Sequence, residues 1–337
     1  MVIDRRLFRI PVLGAALGYL VDMYDLFLFT IVRVPSLKSL QVSGDKLLSD
    51  GVLLLNLQMA GMLIGGLVWG IMGDKKGRLS VLFGSILIYS LANIGNGFIT
   101  NVTGYAVMRF IAGFGLAGEL GVGVTLVVEI LPKELRGYGT TIVATMGVFG
   151  ALLAYLIVHF FFWRVSYFIG GGLGLLLMIL RIRVLESTIF LNIKSKKVSR
   201  GDILMILKNR SRFLRYINSI LIGMPIWFIA GILITFSPEF GEAMKIGVPI
   251  NAGQAVLFTF GGQVAGNILS GMLSQYLKSR KKAILVFLLF ALLSVFFYLL
   301  FPFRSPVLFY LTCAFLGFFG GYWTLFVAVA AELFGAN

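Results

Sequence analysis

Charged side chains are scarce: Asp, Glu, Lys and Arg make up 13% of the chain, against roughly 25% in an ordinary soluble domain. With 59% hydrophobic residues, a soluble globule would leave apolar surface that nothing covers, and that class is excluded. The one cysteine, Cys313, lies in an apolar run, so neither a disulfide framework nor a cysteine metal site is available. The one histidine, His159, sits in a Phe-rich stretch and reads as a polar group near a helix end. No metal and no cofactor are expected. A phosphate loop is also absent, because the segment from Gly73 through Asp74 and Gly77 to Arg78 lacks the Gly-x-x-x-x-Gly-Lys-Ser/Thr spacing and the strand before it.

What is present is apolar sequence in lengths that cross a bilayer. Ten spans run at 10–32, 52–72, 79–99, 103–127, 138–162, 165–184, 214–236, 253–274, 283–302 and 306–330, each near the ~20 residues a transmembrane helix needs. The first is too long for a signal-peptide core and lacks a small-residue cleavage site. Net charge is +15, and its distribution argues against a polyanion partner. With a cytoplasmic N-terminus, most of the 29 Lys and Arg residues fall inside, and only Arg33, Lys38, Lys46, Arg164, Lys245 and Arg304 fall outside. This is the positive-inside pattern. A multi-pass protein of the plasma membrane (the inner membrane in a bacterium), with both termini cytoplasmic, is expected.

The spans divide into a six-helix bundle over 1–185 and a second bundle over 214–337, joined by a basic linker over 186–213. Ile203 to Arg215 reads either as an amphipathic piece on anionic headgroups or as a solvated loop. The halves repeat weakly. Gly70 to Arg78 at the end of span two matches Gly271 to Lys281 at the end of span eight. Ala117-Gly118-Glu119 in span four matches Gly320-Gly321-Tyr322 in span ten, at offsets close to 200 residues. On that alignment the second half has four spans, and counterparts of spans five and six are not in the sequence.

Acids inside a membrane are functional candidates by default. Asp22 and Asp25 flank Tyr24 in span one, and their spacing puts them on one helical face. Two carboxylates there favour sharing one proton, facing an interior cavity; hydrogen bonding to a neighbouring helix is the alternative. Arg109 and Glu119 share span four, ten residues apart, or roughly 15 Å along a helix. They do not pair directly, and Arg109 is expected to meet an acid on another helix, with the Asp22/Asp25 face a candidate. The glycines Gly61, Gly65, Gly113 and Gly115 suit close helix packing. Asp74 either caps a helix or pairs with an arginine, for which Arg136 is a reachable partner; a cytoplasmic latch and plain topological anchoring both fit.

The stretch Gly70 to Arg78 resembles the signature between helices two and three of the major facilitator superfamily, and Arg109 to Glu119 resembles its fourth-helix signature. Glu129 to Gly137, Trp163-Arg164 and Leu185-Glu186-Ser187 resemble marks of its sugar-porter and metabolite:proton symporter branches. The resemblance implies an all-α, two-bundle fold of twelve helices, of which ten are here. It implies proton coupling through Asp22, Asp25, Arg109 and Glu119. It also implies a cytoplasmic gate of Gly73, Asp74, Gly77, Arg78, Glu129 and Arg136, weaker in the second half where Gln275 replaces the acid. Substrate contacts in such folds come from both halves near the midplane, and Tyr24, Trp227, Gln263, Asn267, Tyr322 and Trp323 are candidates, each with packing as its alternative.

The function expected is proton-coupled symport of a small polar metabolite, an organic acid or a sugar, by a monomer working through alternating access. The alternative is a truncated, non-transporting remnant or membrane sensor. An enzyme is not expected, since no Ser/His pair or metal cluster stands out.

Overall fold

The computed structural model describes residues 10–181 and 209–333. Most of the linker, including Ile203 to Lys208 and the Leu185-Glu186-Ser187 motif, lies outside the described residues.

A bilayer core offers backbone groups no water, so a spanning segment must satisfy its own hydrogen bonds, and a helix does this within one segment. Ten helical spans follow, as the hydropathy pattern predicts. Span one is α1 (Ile10–Ser39), span two is α2 (Lys46–Lys76) and span three is α3 (Arg78–Phe98). Span four is split into α4 (Val102–Leu116) and α5 (Glu119–Ile130). Spans five and six are α6 (Lys133–Phe160) and α7 (Trp163–Leu180). Span seven is α8 (Arg210–Phe228), running through Pro225 into a π-helical turn (Ile229–Ile234), followed by the short α9 (Ser237–Ala243). Span eight is α10 (Ala252–Tyr276), span nine α11 (Arg280–Leu300), and span ten is split into α12 (Pro306–Gly320) and α13 (Trp323–Leu333). Polar residues next to the apolar runs start several helices. The side chains of Asn101, Asn251, Ser279 and Ser305 accept from free amides of the first turn.

The internal repeat is explicit in the packing. A Cβ on Gly61 or Gly65 would strike the Phe110 or Phe114 carbonyl, and one on Gly113 would strike the Gln58 carbonyl. In the second half a Cβ on Gly262 or Gly266 would strike the Ala314 or Phe318 carbonyl, and one on Gly317 the Thr259 carbonyl. Gly61 and Gly262, and Gly65 and Gly266, are 201 positions apart. Spans two and four are therefore locked backbone to backbone by the same glycines as spans eight and ten. The helix breaks at Ala117-Gly118 and at Gly321-Tyr322 also correspond. Gly77, at φ 104°, occupies a backbone conformation closed to side chains and makes the sharp break between α2 and α3.

Candidate functional site

α1 is the most buried span and carries both aspartates. Asp25 is fully buried, 3.8 Å from the equally buried Arg109 of α4. The guanidinium of Arg109 lies over the Phe29 ring at 4.8 Å and the Tyr167 ring at 5.8 Å. Asn93 of α3 is beside the same carboxylate. The Tyr167 hydroxyl is bonded to that of Tyr105 at 2.7 Å, and Tyr105 to the Ser36 hydroxyl at 3.2 Å, near the opposite end of α1 from Ile10.

A second ion pair lies one step further toward the start of α1. Glu119 opens α5 after the helix break and accepts two hydrogen bonds from Arg181, at 2.9 and 2.7 Å. Arg181 also donates to the Gly14 carbonyl at 3.2 and 2.6 Å, tying the end of α7 to α1. Gly18 leaves the room, since a Cβ there would meet both members of the pair. Asp22 sits between the two pairs, in the field of Glu119, Arg181 and Asp25, and neither of its oxygens has a hydrogen-bond partner among the described residues.

The arrangement differs from the expected shared proton site facing a cavity. Asp22 and Asp25 line neither of the cavities between the halves, because α1 turns its acidic face toward α4 and α7, inside the first bundle. The partner of Glu119, Arg181, was not legible as such. In the sequence it is one of a run of basic residues that the positive-inside rule already explains.

At the α2–α3 break, Arg78 donates to Asp74 at 2.7 Å and to Glu129 of α5 at 3.1 Å, with Gly73 packed beside its guanidinium. Arg136 is not the partner of Asp74: its Nε donates to the Leu131 carbonyl at 3.2 Å, while Arg78, one turn from Asp74, is nearer at hand. Gln275, in the matching position of the second half, is exposed.

An ion pair between the halves lies at the far end of α1. Arg33, fully buried, donates to both carboxylate oxygens of Glu239 in α9 at 2.6 and 2.7 Å and to the Thr235 carbonyl at 3.2 Å. Its guanidinium rests on the Phe236 ring at 4.6 Å, and the Thr30 and Thr235 hydroxyls are 3.0 Å apart. Sequence reasoning counted Arg33 only as an outside charge. The signal available was an Arg directly after the first apolar span and Glu239 shortly after the seventh, two opposite charges at the same side of the membrane.

Of the substrate candidates, Trp227, Gln263 and Trp323 line a cavity of about 30 Å³ between the halves. The two indoles meet edge to face at 6.3 Å, and Trp323 donates to the Tyr19 hydroxyl of α1 at 3.2 Å. Phe27 of α1 faces Phe260 of α10 at 4.3 Å. The other three do not join them. The Tyr24 hydroxyl donates to the Ser166 carbonyl at 2.7 Å and the Tyr322 hydroxyl to the Ile222 carbonyl at 2.8 Å, both side chains buried as helix-to-helix ties. Asn267 is buried, with both amide atoms unpartnered among the described residues, and lies outside the cavity lining.

Ten spans, two glycine-locked halves broken at matching positions and buried ion pairs beside the junction define a polytopic membrane protein of repeated helical bundles. The model of the Major Facilitator Superfamily matches residues 15–337, and the chain belongs to that family. The chain is 29% identical over 191 residues to the niacin transporter NiaP of Acinetobacter baylyi, covering 56% of this chain and 41% of that protein. It is 31% identical over 198 residues to the sialic acid transporter NanX of Escherichia coli, covering 57% and 47%. The chain thus spans about half the length of these curated relatives. A solved proton:xylose symporter, XylE, shares the fold with a TM-score of 0.75 at 17% identity, over 97% of this chain and 82% of that one.

Proposed function

We propose that this chain is a proton-coupled symporter of a small polar metabolite, working by alternating access of its two halves. The observation that carries the proposal is the buried Asp25–Arg109 pair beside the junction. A carboxylate held against an arginine in apolar surroundings has two states with different partners. Ionised, it holds α1 against α4; protonated, it releases the guanidinium toward Tyr167. A proton therefore biases how α1 sits, and α1 is the helix that also carries Tyr19 and Phe27 of the cavity and Arg33 of the contact between halves. Coupling arises because the cargo and the proton both prefer one arrangement of that helix.

In this reading Asp22 and the Glu119–Arg181 pair belong to the same pathway, and Asp74, Arg78, Glu129 and Arg136 form the cytoplasmic gate with Gly73 and Gly77 at its hinge. Arg33–Glu239 latches the opposite face. The names of the relatives, transporters of niacin and sialic acid, and the proton:xylose symporter with the same fold support a small metabolite as cargo. The plasma membrane, the inner one in a bacterium, is the proposed location, with both termini cytoplasmic and a monomer as the working unit. The second reading, a non-transporting membrane protein, has one observation in its favour: a cavity of about 810 Å³ between α1, α2, the seventh span and α11, wide for a tightly gated carrier.

Proteoliposomes containing the full chain separate the two readings. With an inward proton gradient imposed, labelled niacin, nicotinamide, benzamide, sialic acid and xylose are offered in turn. Symport of one proton with one cargo predicts about tenfold accumulation per pH unit, abolished by a protonophore. Uptake that ignores the gradient, or no uptake of any cargo, contradicts the proposal.

A further inference from the structure

The two cavities at the junction of the halves share Phe27, Trp227, Ile229 and Ala230, so they adjoin. Among the described residues, no Asp, Glu, Lys, Arg or His lines either of them. Of the charged groups of the first half described above, Arg33 is held by Glu239 beyond these walls and the others point into the first bundle. The walls are rings and aliphatic side chains: Trp227 and Trp323 at right angles, Phe27 against Phe260, and Tyr19 at the edge. Gln263, on α10, contributes a buried amide to this lining and Asn56, on α2, an exposed one; the Thr30, Thr235 and Thr259 hydroxyls that also line it are already bonded within the protein.

A ligand's charge has a large desolvation cost in such a site, and nothing there offsets it. Burial of an isolated carboxylate or ammonium is unfavourable unless an opposite charge or several hydrogen-bond donors meet it. Many-hydroxyl ligands meet the same objection in weaker form, because each unpartnered hydroxyl is left without its water. A flat ring meets none. Ring faces and edges of the indoles and phenyls favour offset or edge-to-face contacts with another ring, and the one buried amide, that of Gln263, fixes orientation in the manner of apolar pockets with few polar groups.

We infer that the cargo binds where the two cavities meet, as an uncharged, largely apolar planar ring carrying one hydrogen-bonding substituent held by Gln263. A ring carboxylic acid enters this site only in its protonated form. The inference rests on the reading of the junction as the cargo site, and it narrows the metabolite to a class that sugars and ionised acids do not meet.

The test uses the full chain in lipid nanodiscs and labelled benzamide, with benzoate and glucose as competitors. Benzoate has nearly the shape of benzamide but is charged at neutral pH. The expected result is saturable benzamide binding, with benzoate at least about tenfold weaker at neutral pH and gaining as the pH falls, and glucose without effect. Gln263→Leu and, independently, Trp227→Leu weaken benzamide binding about tenfold or more, and either variant suffices if the other does not fold. The inference is overturned by benzoate competing as well as benzamide at neutral pH, by competition from glucose, or by the absence of saturable benzamide binding. Loss of gradient-driven uptake with benzamide binding intact would instead remove the proton-coupling reading and leave this one standing.

Discussion

The two halves of this molecule share a scaffold and differ in chemistry. Gly61, Gly65 and Gly113 lock spans two and four together as Gly262, Gly266 and Gly317 lock spans eight and ten. Inside the first half lie two buried arginine–carboxylate pairs and an aspartate unpartnered among the described residues; the second half's described share of the cavity lining includes no charged side chain. It offers rings and amides instead. The difference teaches that the repeat supplies geometry, while chemistry is placed unequally on it; under the proposed function, charge is handled in one bundle, and the cargo site forms where the other bundle's aromatic face meets α1.

Substitutions at four places in the fold press on that comparison. The largest effect is expected at Glu119. Glu119→Gln leaves Arg181 buried without its counter-charge, which costs about 3–5 kcal/mol, seen as a large drop in thermal stability. Glu119→Gln with Arg181→Met recovers much of it, whereas a shortfall confined to the single variant's activity would mean the pair is not structural. Next come the glycines. Gly65→Leu and Gly266→Leu each force a side chain into a facing backbone and lose about 3 kcal/mol or more. Similar losses in the two halves are predicted, and a tolerated Gly266→Leu would break the claim of a shared scaffold.

Smaller still is the effect of opening the contact between halves. Arg33 is fully buried but Glu239 is 26% exposed and partly screened, so Glu239→Gln shifts the balance of states by about 2 kcal/mol, between the surface-pair and the fully buried case. That is roughly a thirtyfold change in labelling of a Leu26→Cys reporter, read against a low background because Cys313 is buried. The smallest effect is at Arg78→Gln, which removes contacts to Asp74, half-exposed, and to Glu129; about 1 kcal/mol of stability and a changed rate of cargo exchange are expected, with cargo affinity intact.

Much of the fold was legible because bilayer crossing imposes length and polarity rules on each span separately. Ten spans and the repeat need no knowledge of what touches what. The Arg109–Asp25 pairing was legible for a related reason: a buried arginine requires an acid, and few are available. Partner choice was legible only where the options were few. Arg181 is hidden in a basic run and Arg33 among the outside charges, while Asp74 leaves capping and pairing both open in the sequence, with Arg136 within reach; the packing of Arg78 between Asp74 and Glu129 decides it. Tyr24 and Tyr322 looked like cargo contacts because a tyrosine in an apolar span signals a polar tip; which carbonyl that tip meets is decided by helix rotation, which no single span records.

The measurement that tests the division of labour most directly is made on Asp25→Asn in proteoliposomes, with accumulation and counterflow of the same labelled cargo recorded side by side. A charge site separate from the cargo site predicts that gradient-driven accumulation disappears, while exchange of cargo across the membrane and benzamide binding persist. Accumulation at the native level in Asp25→Asn would contradict the account, as would loss of cargo binding together with coupling.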